Sequence, residues 1–414
     1  MRRTTLVLAA LCVALIPLCA AASAAASSLC DTMRNELAAG GGPDSGLLVV
    51  EAESGNVVCG KDAETARPLA SNMKLFTTST ALSRFGTDYR IQTRLLRDGR
   101  IDSHGVLHGS LYLVGGGDPA LGVPAFYNRY HGGLGTNLLL LKRQVRQAGI
   151  KRVTGRLYAD DTIFDRLRGV AYSHYGLTGE IGPLSGLDFD SGYTTPSATA
   201  FASDPAKVAA ATLVRALRGA GVRITRTIAL GKAPQGAKKV GVLLSPTLNR
   251  IVDFADVNSY NFFAEMLIKL LGASFGGGGT TAAGATVVEQ FAQSLGTGVH
   301  AVDGSGLTRG NRASPQQVVT LLRAMQSQPV GEQFIQDLAL AGEEGTVADR
   351  MHGTAAYGRC RTKTGTINSV SNLSGYCFNT DGKVMIFSIL MAGVTDLELA
   401  HLEQDRIAGA VAAY

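Results

Sequence analysis

The chain has no HExxH motif and no stripe of basic residues interleaved with aromatics. Beyond its N-terminus it also lacks any long uninterrupted apolar run. Of its seven histidines, at 104, 108, 131, 174, 300, 352 and 401, only His104 and His108 have the HExxH spacing, and Gly105 stands where the motif needs Glu, so no local zinc site is expected. Basic residues outnumber acidic ones, 39 to 33, but lie scattered, whereas a nucleic-acid binder concentrates them on one face. The run Gly276 to Gly279 is not followed by Lys-Ser or Lys-Thr, so a phosphate-binding P-loop is excluded. The one G-x-S-x-G match, Gly272-Ala273-Ser274-Phe275-Gly276, closes a long apolar helical run and opens a glycine run, so it lacks the strand-to-helix setting of the nucleophile elbow of a Ser-His-Asp hydrolase. Neither a metal nor a cofactor is expected. What is present is ample core material: 45% hydrophobic and 17% charged residues, far from the balance of a disordered or fibrous protein. A length of 414 residues predicts two or three domains, or one domain with a large insertion.

Residues 1–24 read as an export signal. Arg2 and Arg3 supply the positive start, Leu6 to Leu18 the apolar stretch and Ala22-Ser23-Ala24 a small-residue cleavage site. A lipid-anchored alternative at Cys19 is disfavoured by Leu18, where such signals place a small residue. Later apolar runs fall short of the ~18 residues a membrane helix needs, and Val384 to Val394 reads as a buried strand. The mature chain is therefore expected outside the cytoplasm, periplasmic or on the cell-wall side, with no transmembrane segment. Cys30, Cys59, Cys360 and Cys377 would remain in an oxidising compartment, with three pairings open. A hairpin turning at Asn368-Ser369 sets Cys360 opposite Cys377 and leaves Cys30 for Cys59. Four buried, inert thiols are the alternative.

The pattern is α/β with a large insertion. A helix begins near Asp31, and strands over Gly46 to Ala52 and Asn56 to Cys59 form a hairpin. A buried helix runs through Ala70 to Leu82. Residues 25–87 and 244–414 form one unit, and 88–243 an inserted α/β subdomain. In the insertion, strands are expected at Ser110 to Val114, Arg156 to Ala159 and Ile224 to Leu230, with helices ending at Gly149 and Gly221. Helices over Thr247 to Phe254, Ser259 to Leu271, Ala283 to Leu295 and Pro315 to Gln326 precede two strands and a last helix, Leu397 to Ala412.

Three short motifs carry chemistry. In Ser71-x-x-Lys74 the two side chains stand one helical turn apart, so the amine reaches the hydroxyl. A serine hydroxyl needs a base to become a nucleophile, and Lys74 serves only with its pKa lowered by burial or a second cation. Ser71 near a helix start also offers its N–H to an oxyanion. In Ser259-Tyr260-Asn261 a hydroxyl can relay a proton and an amide can hold a peptide group, although Ser259 alone also suits a helix N-cap. In Lys363-Thr364-Gly365-Thr366 a cation and two hydroxyls can bind a carboxylate, and the glycine lets a substrate backbone approach as an added strand.

S-x-x-K and K-T-G each occur once, and of the two S-x-N matches, at Ser54 and Ser259, only the second lies between them, giving the order found in penicillin-binding proteins and class A β-lactamases. With Leu113 to Pro119, Asn261 to Glu265, Asp303-Gly304-Ser305-Gly306-Leu307, Gly345-Thr346 and Ser374-Gly375-Tyr376, nearly all of the mature chain resembles the peptidase S13 D-alanyl-D-alanine carboxypeptidases. Tyr260 stands where the motif commonly has Asp, and the 188 residues from Ser71 to Ser259 hold a shorter insertion than larger members carry. The resemblance implies a transpeptidase-like fold, with helices flanking a five-stranded antiparallel sheet. It further implies Ser71 as nucleophile, Lys74 as base and Ser259 as proton relay. Asn261, Lys363, Thr364, Gly365 and Thr366 would bind substrate, and the Ser71 and Thr366 N–H groups would form the oxyanion hole. Peptidoglycan stem peptides would be substrates and β-lactams covalent inhibitors. A serine β-lactamase and a non-catalytic peptidoglycan-binding protein are the rival readings.

Overall fold

The computed structural model describes residues 16–414, with side chains from Ser28 onward. Arg2, Arg3 and most of the apolar run of the expected export signal lie outside the described residues. The first helix, Ile16–Gly40, leads into a six-stranded sheet that is antiparallel throughout. Its order is Ala339–Leu340, Cys360–Ile367, Val370–Phe378, Val384–Ala392, Gly46–Glu51 and Val57–Lys61. Five strands are long, as expected; the sixth is a two-residue edge strand too short to leave a periodic signal. Between the helical stretch and the last helix lie three long strands, one more than the two expected, and a further short helix, Gly331–Gln336.

Helices cover both faces of this sheet, which explains why its central strand reads as a continuous apolar run rather than an alternation. Met385, Phe387, Ile389 and Met391 point to one face and pack with Met33 and Leu37 of the first helix and Ile407 and Val411 of the last, Leu397–Ala413. Ile386 and Leu390 point to the other face. There they join Phe76, Phe263, Leu267 and Leu322 from helices Met73–Phe85, Asn261–Phe275 and Pro315–Gln326.

Cys360 and Cys377 are directly opposed in the hairpin and are bonded, as are Cys30 and Cys59. The first of these bonds ties the strand carrying Lys363 to its neighbour. The double variant C360S/C377S should lose about 2–4 kcal/mol of stability, read by urea unfolding. An unchanged midpoint would show that the bond adds nothing to the hairpin.

Residues 92–244 build two smaller mixed sheets around a separate apolar cluster, covered by helices Leu141–Gln147 and Pro205–Gly219. The single strand expected over Ile224 to Leu230 is two. Arg223–Ile224 pairs with Arg152–Val153, and Ala229–Leu230 with Tyr158 and Ala159 of the other sheet. Its parallel partners are themselves divided between the sheets, so this stretch must break where they do.

Candidate active site

Ser71 lies on a short 3-10 turn, Ala70–Asn72, that runs straight into the helix beginning at Met73. The turn is held from below. The Asn72 amide donates to the Lys363 carbonyl at 3.0 Å and accepts from Ser374 Oγ at 2.6 Å. The Asn372 amide reaches the Pro68 and Leu69 carbonyls at 3.0 and 2.8 Å. Ala70, just before the serine, has φ +45°, a left-handed conformation costly for a residue with a Cβ and sustained here by the surrounding bonds.

Lys74 is fully buried, and its Nζ has three neighbours: Asn261 Oδ1 at 2.7 Å, the Ser305 carbonyl at 2.8 Å and Ser71 Oγ at 3.0 Å. A neutral amine has two N–H bonds and one lone pair. With Asn261 and Ser305 accepting the two N–H bonds, the lone pair is left for the serine hydroxyl. Burial, aided by the positive charge of Lys363, pushes the Lys74 pKa down to about 7. The arrangement can therefore take a proton from Ser71 near neutral pH.

Across the cleft, Lys363 Nζ lies 3.0 Å from Ser259 Oγ and donates to the Thr364 carbonyl at 3.0 Å. Burial lowers its pKa too, while the Asp256 carboxylate acts to keep it charged. The helix expected to start at Ser259 starts at Asn261, with Tyr260 as its N-cap. Ser259 has φ +53°, so it cannot belong to the helix and instead turns its hydroxyl to Lys363. Tyr260 sits edge-on to His131, Phe254 and Phe263, so the middle position of the motif is an anchor in an aromatic cluster.

The Lys363 strand presents an open edge. Ala341 donates to the Cys360 carbonyl at 2.9 Å, and strand alternation puts the main-chain groups of Thr364 and Thr366 on that same side, beyond the end of Ala339–Leu340. Gly365 also has a duty inside the fold. A Cβ there would lie 2.9 Å from the Leu69 carbonyl oxygen and 3.0 Å from the Asn72 nitrogen, so the turn carrying Ser71 itself requires a glycine at this position. Thr364 Oγ1 donates to Thr346 Oγ1 at 2.8 Å. The structure thus gathers Ser71, Lys74, Ser259, Asn261 and Lys363 around one cleft, with Thr364 and Thr366 along its edge.

Three supporting carboxylates, Glu265, Asp303 and Asp256, had no role assigned from the sequence. Glu265 Oε1 accepts from the Gly304 and Ser305 N–H groups at 3.0 and 2.7 Å, fixing the loop whose Ser305 carbonyl holds Lys74. Burial, reinforced by Asp303, pushes its pKa up. Asp303 in turn accepts from the N–H groups of Gly306 and Thr308 and from the Asn311 amide, each at 2.8 Å. Asp256 is fully buried and bears electrostatically on both lysines. Glu265→Ala should slow acylation about tenfold or more and cost 1–3 kcal/mol of stability, roughly the penalty of two unsatisfied buried donors. Glu265→Gln, which keeps the acceptor oxygen, should restore most of both. Equal acylation rates for the two variants would mean that the loop is held otherwise.

A serine–lysine pair, a facing serine and asparagine, and a lysine-bearing edge strand, set in a sheet covered by helices on both faces, define the class of penicillin-recognising serine enzymes. The family model for the D-Ala-D-Ala carboxypeptidase 3 (S13) family matches residues 32–200 and 190–414, and the chain belongs to that family. It is 31% identical to a D-alanyl-D-alanine carboxypeptidase of Actinomadura sp. (strain R39), over 85% of this chain and 78% of that one. With carboxypeptidase DacB of Mycolicibacterium smegmatis it shares 26% identity, over 84% and 77%. The crystal structure of penicillin binding protein 4 (dacB) from Haemophilus influenzae superposes with a TM-score of 0.76, covering 91% of this chain and 97% of that one. At 19% identity that likeness bears on the fold.

Proposed function

We propose that this chain is a serine-type D-Ala-D-Ala carboxypeptidase that acts on peptidoglycan stem peptides and is acylated by β-lactams at Ser71. The observation that carries this reading is the Lys74 amine, whose two N–H bonds are taken by Asn261 and Ser305 while its remaining position faces Ser71 Oγ.

In the proposed reaction Ser71 Oγ attacks the carbonyl carbon between two D-Ala residues as its proton passes to Lys74 Nζ. The negative oxygen of the tetrahedral adduct is held by the N–H groups of Ser71 and Thr366. Ser259 hands a proton to the departing D-Ala amine as the C–N bond breaks, and water later hydrolyses the ester. Lys363, Thr364 and Thr366 hold the terminal carboxylate, which explains a demand for a free chain end, and Asn261 orients the scissile peptide. Residues 25–87 and 244–414 supply this machinery, and 88–243 form the insertion.

The site of action is outside the cytoplasm, a placement supported by the export signal and by two disulfides, bonds that persist in oxidising compartments. Among the described residues no helix is long and apolar enough to cross a membrane.

Mass analysis of a purified muropeptide pentapeptide should reveal loss of one D-Ala, and a cross-linked dimer tests endopeptidase action in the same assay. A penicilloyl adduct should be long-lived. Rapid adduct turnover without D-Ala release would make the protein a β-lactamase, and neither reaction would leave a binding protein.

A further inference from the structure

We infer that a basic groove in the insertion, backing onto the wall of the active-site cleft, holds a neighbouring stretch of the peptidoglycan whose stem peptide is being cut. The inference rests on the carboxypeptidase reading. The groove lies between helices Leu141–Gln147 and Pro205–Gly219 and encloses about 1450 Å3. Small-molecule sites occupy roughly 300–1,000 Å3, so this volume suits a segment of polymer.

Its charge is one-sided. Lys142, Arg143 and Arg146 line one bank and Arg215 the other, all exposed. None of the four forms an ion pair or side-chain hydrogen bond among the described residues. Of the two acids of the groove, Asp204 caps its helix at the Lys207 N–H and pairs with Lys207 at 3.6 Å, and Asp190 is buried away from the banks, its Oδ1 accepting from the Val123 N–H at 2.9 Å. Along the floor Ala211, Thr212, Ala216 and Gly219 offer small side chains over a length of about 12 Å, at 1.5 Å per helical residue. Such a surface selects an extended anion, and guanidinium groups favour carboxylates through paired hydrogen bonds. Stem peptides display carboxylates at intervals along a glycan strand.

The position of the groove selects the strand. Segment 189–203 is a shared partition. Phe189, Thr194 and Ala202 face the groove, whereas Ser191, Tyr193 and Phe201 line a hollow completed by Ser259, Tyr260 and Asn261. Asp190 and Ser191 are held at φ +50° and +49°, which lets successive residues face opposite sides. A strand gripped in the groove would keep its stem peptides beside the cleft and raise their local concentration there.

The test compares the unmodified protein with the quadruple variant Lys142→Gln, Arg143→Gln, Arg146→Gln, Arg215→Gln. Both are sedimented with insoluble peptidoglycan before and after it is stripped of phosphodiester polymers, and both are assayed for D-Ala release from the stripped material and from a soluble pentapeptide. The variant should bind stripped peptidoglycan about tenfold more weakly, the summed loss of four modest surface charge contacts. Its release of D-Ala from the insoluble material should slow in parallel, with soluble-peptide kinetics unchanged. Equal sedimentation of the two proteins would overturn the inference. So would binding that disappears when phosphodiester polymers are stripped, because the groove would then belong to those polymers. Failure of the unmodified protein to release D-Ala from the soluble peptide would sink the carboxypeptidase reading, and the sedimentation comparison would still report on the groove.

Discussion

Replacing Ser71 by alanine should abolish covalent labelling by a fluorescent penicillin and lower D-Ala release by about 10⁴-fold or more, the scale seen when a serine nucleophile is removed. The loss should be chemical rather than structural. Ser71 is the residue of its turn with the lightest structural duty: Asn72 and Leu69 carry the bonds to the sheet, whereas Ser71 Oγ is matched with Lys74. Thermal stability of the variant should stay near that of the parent, and non-covalent binding of substrate should persist. Labelling of the alanine variant at the parent's rate would place the nucleophile elsewhere and remove the basis for the mechanism.

The second large effect concerns Lys74. Lys74→Ala should slow acylation by ~10²–10⁴-fold, the usual worth of a positioned general base. Lys74→Arg is the sharper variant, because a guanidinium keeps the positive charge but does not give up its proton in proteins. If Lys74 acts as a base, arginine should be about as damaging as alanine. If it serves only as a cation beside the oxyanion, arginine should retain much of the rate. Rapid labelling of Lys74→Arg would therefore contradict the proton transfer while leaving Ser71 as nucleophile.

The parts of this site that the sequence made legible are those whose chemistry is local. Ser71 and Lys74 are three residues apart on one helical face, and the pairing of Cys360 with Cys377 follows from where a hairpin turns. Supports that act across the chain left no such pattern. Glu265 works through two N–H groups some forty residues away, and Ser305 contributes a main-chain carbonyl that any residue would supply. Asn72 and Ser374 clasp the nucleophile turn to the sheet, a contact between distant segments that only the fold brings together. Gly365 was legible as a required glycine, but its packing against the Leu69 carbonyl was not, since that carbonyl belongs to a distant segment. Ser259 misled in its local structure because its left-handed backbone breaks the helix that the apolar periodicity would otherwise start there. The insertion was read as strands and helices, yet its 189–203 partition, which lines the cleft beside Ser259, shows no regular periodicity.

The pH dependence of the penicillin acylation rate tests the account most directly. Lys74, pushed down to about 7, is protonated below that value and free to accept a proton above it. Stopped-flow acylation should rise about tenfold per pH unit on the acid side, bend near pH 7 and then level off. The acid limb should vanish in Lys74→Ala. A rate that stays flat through this range, or climbs without a bend toward the ordinary lysine value near 10.4, would contradict the claim that a neutral Lys74 amine activates Ser71.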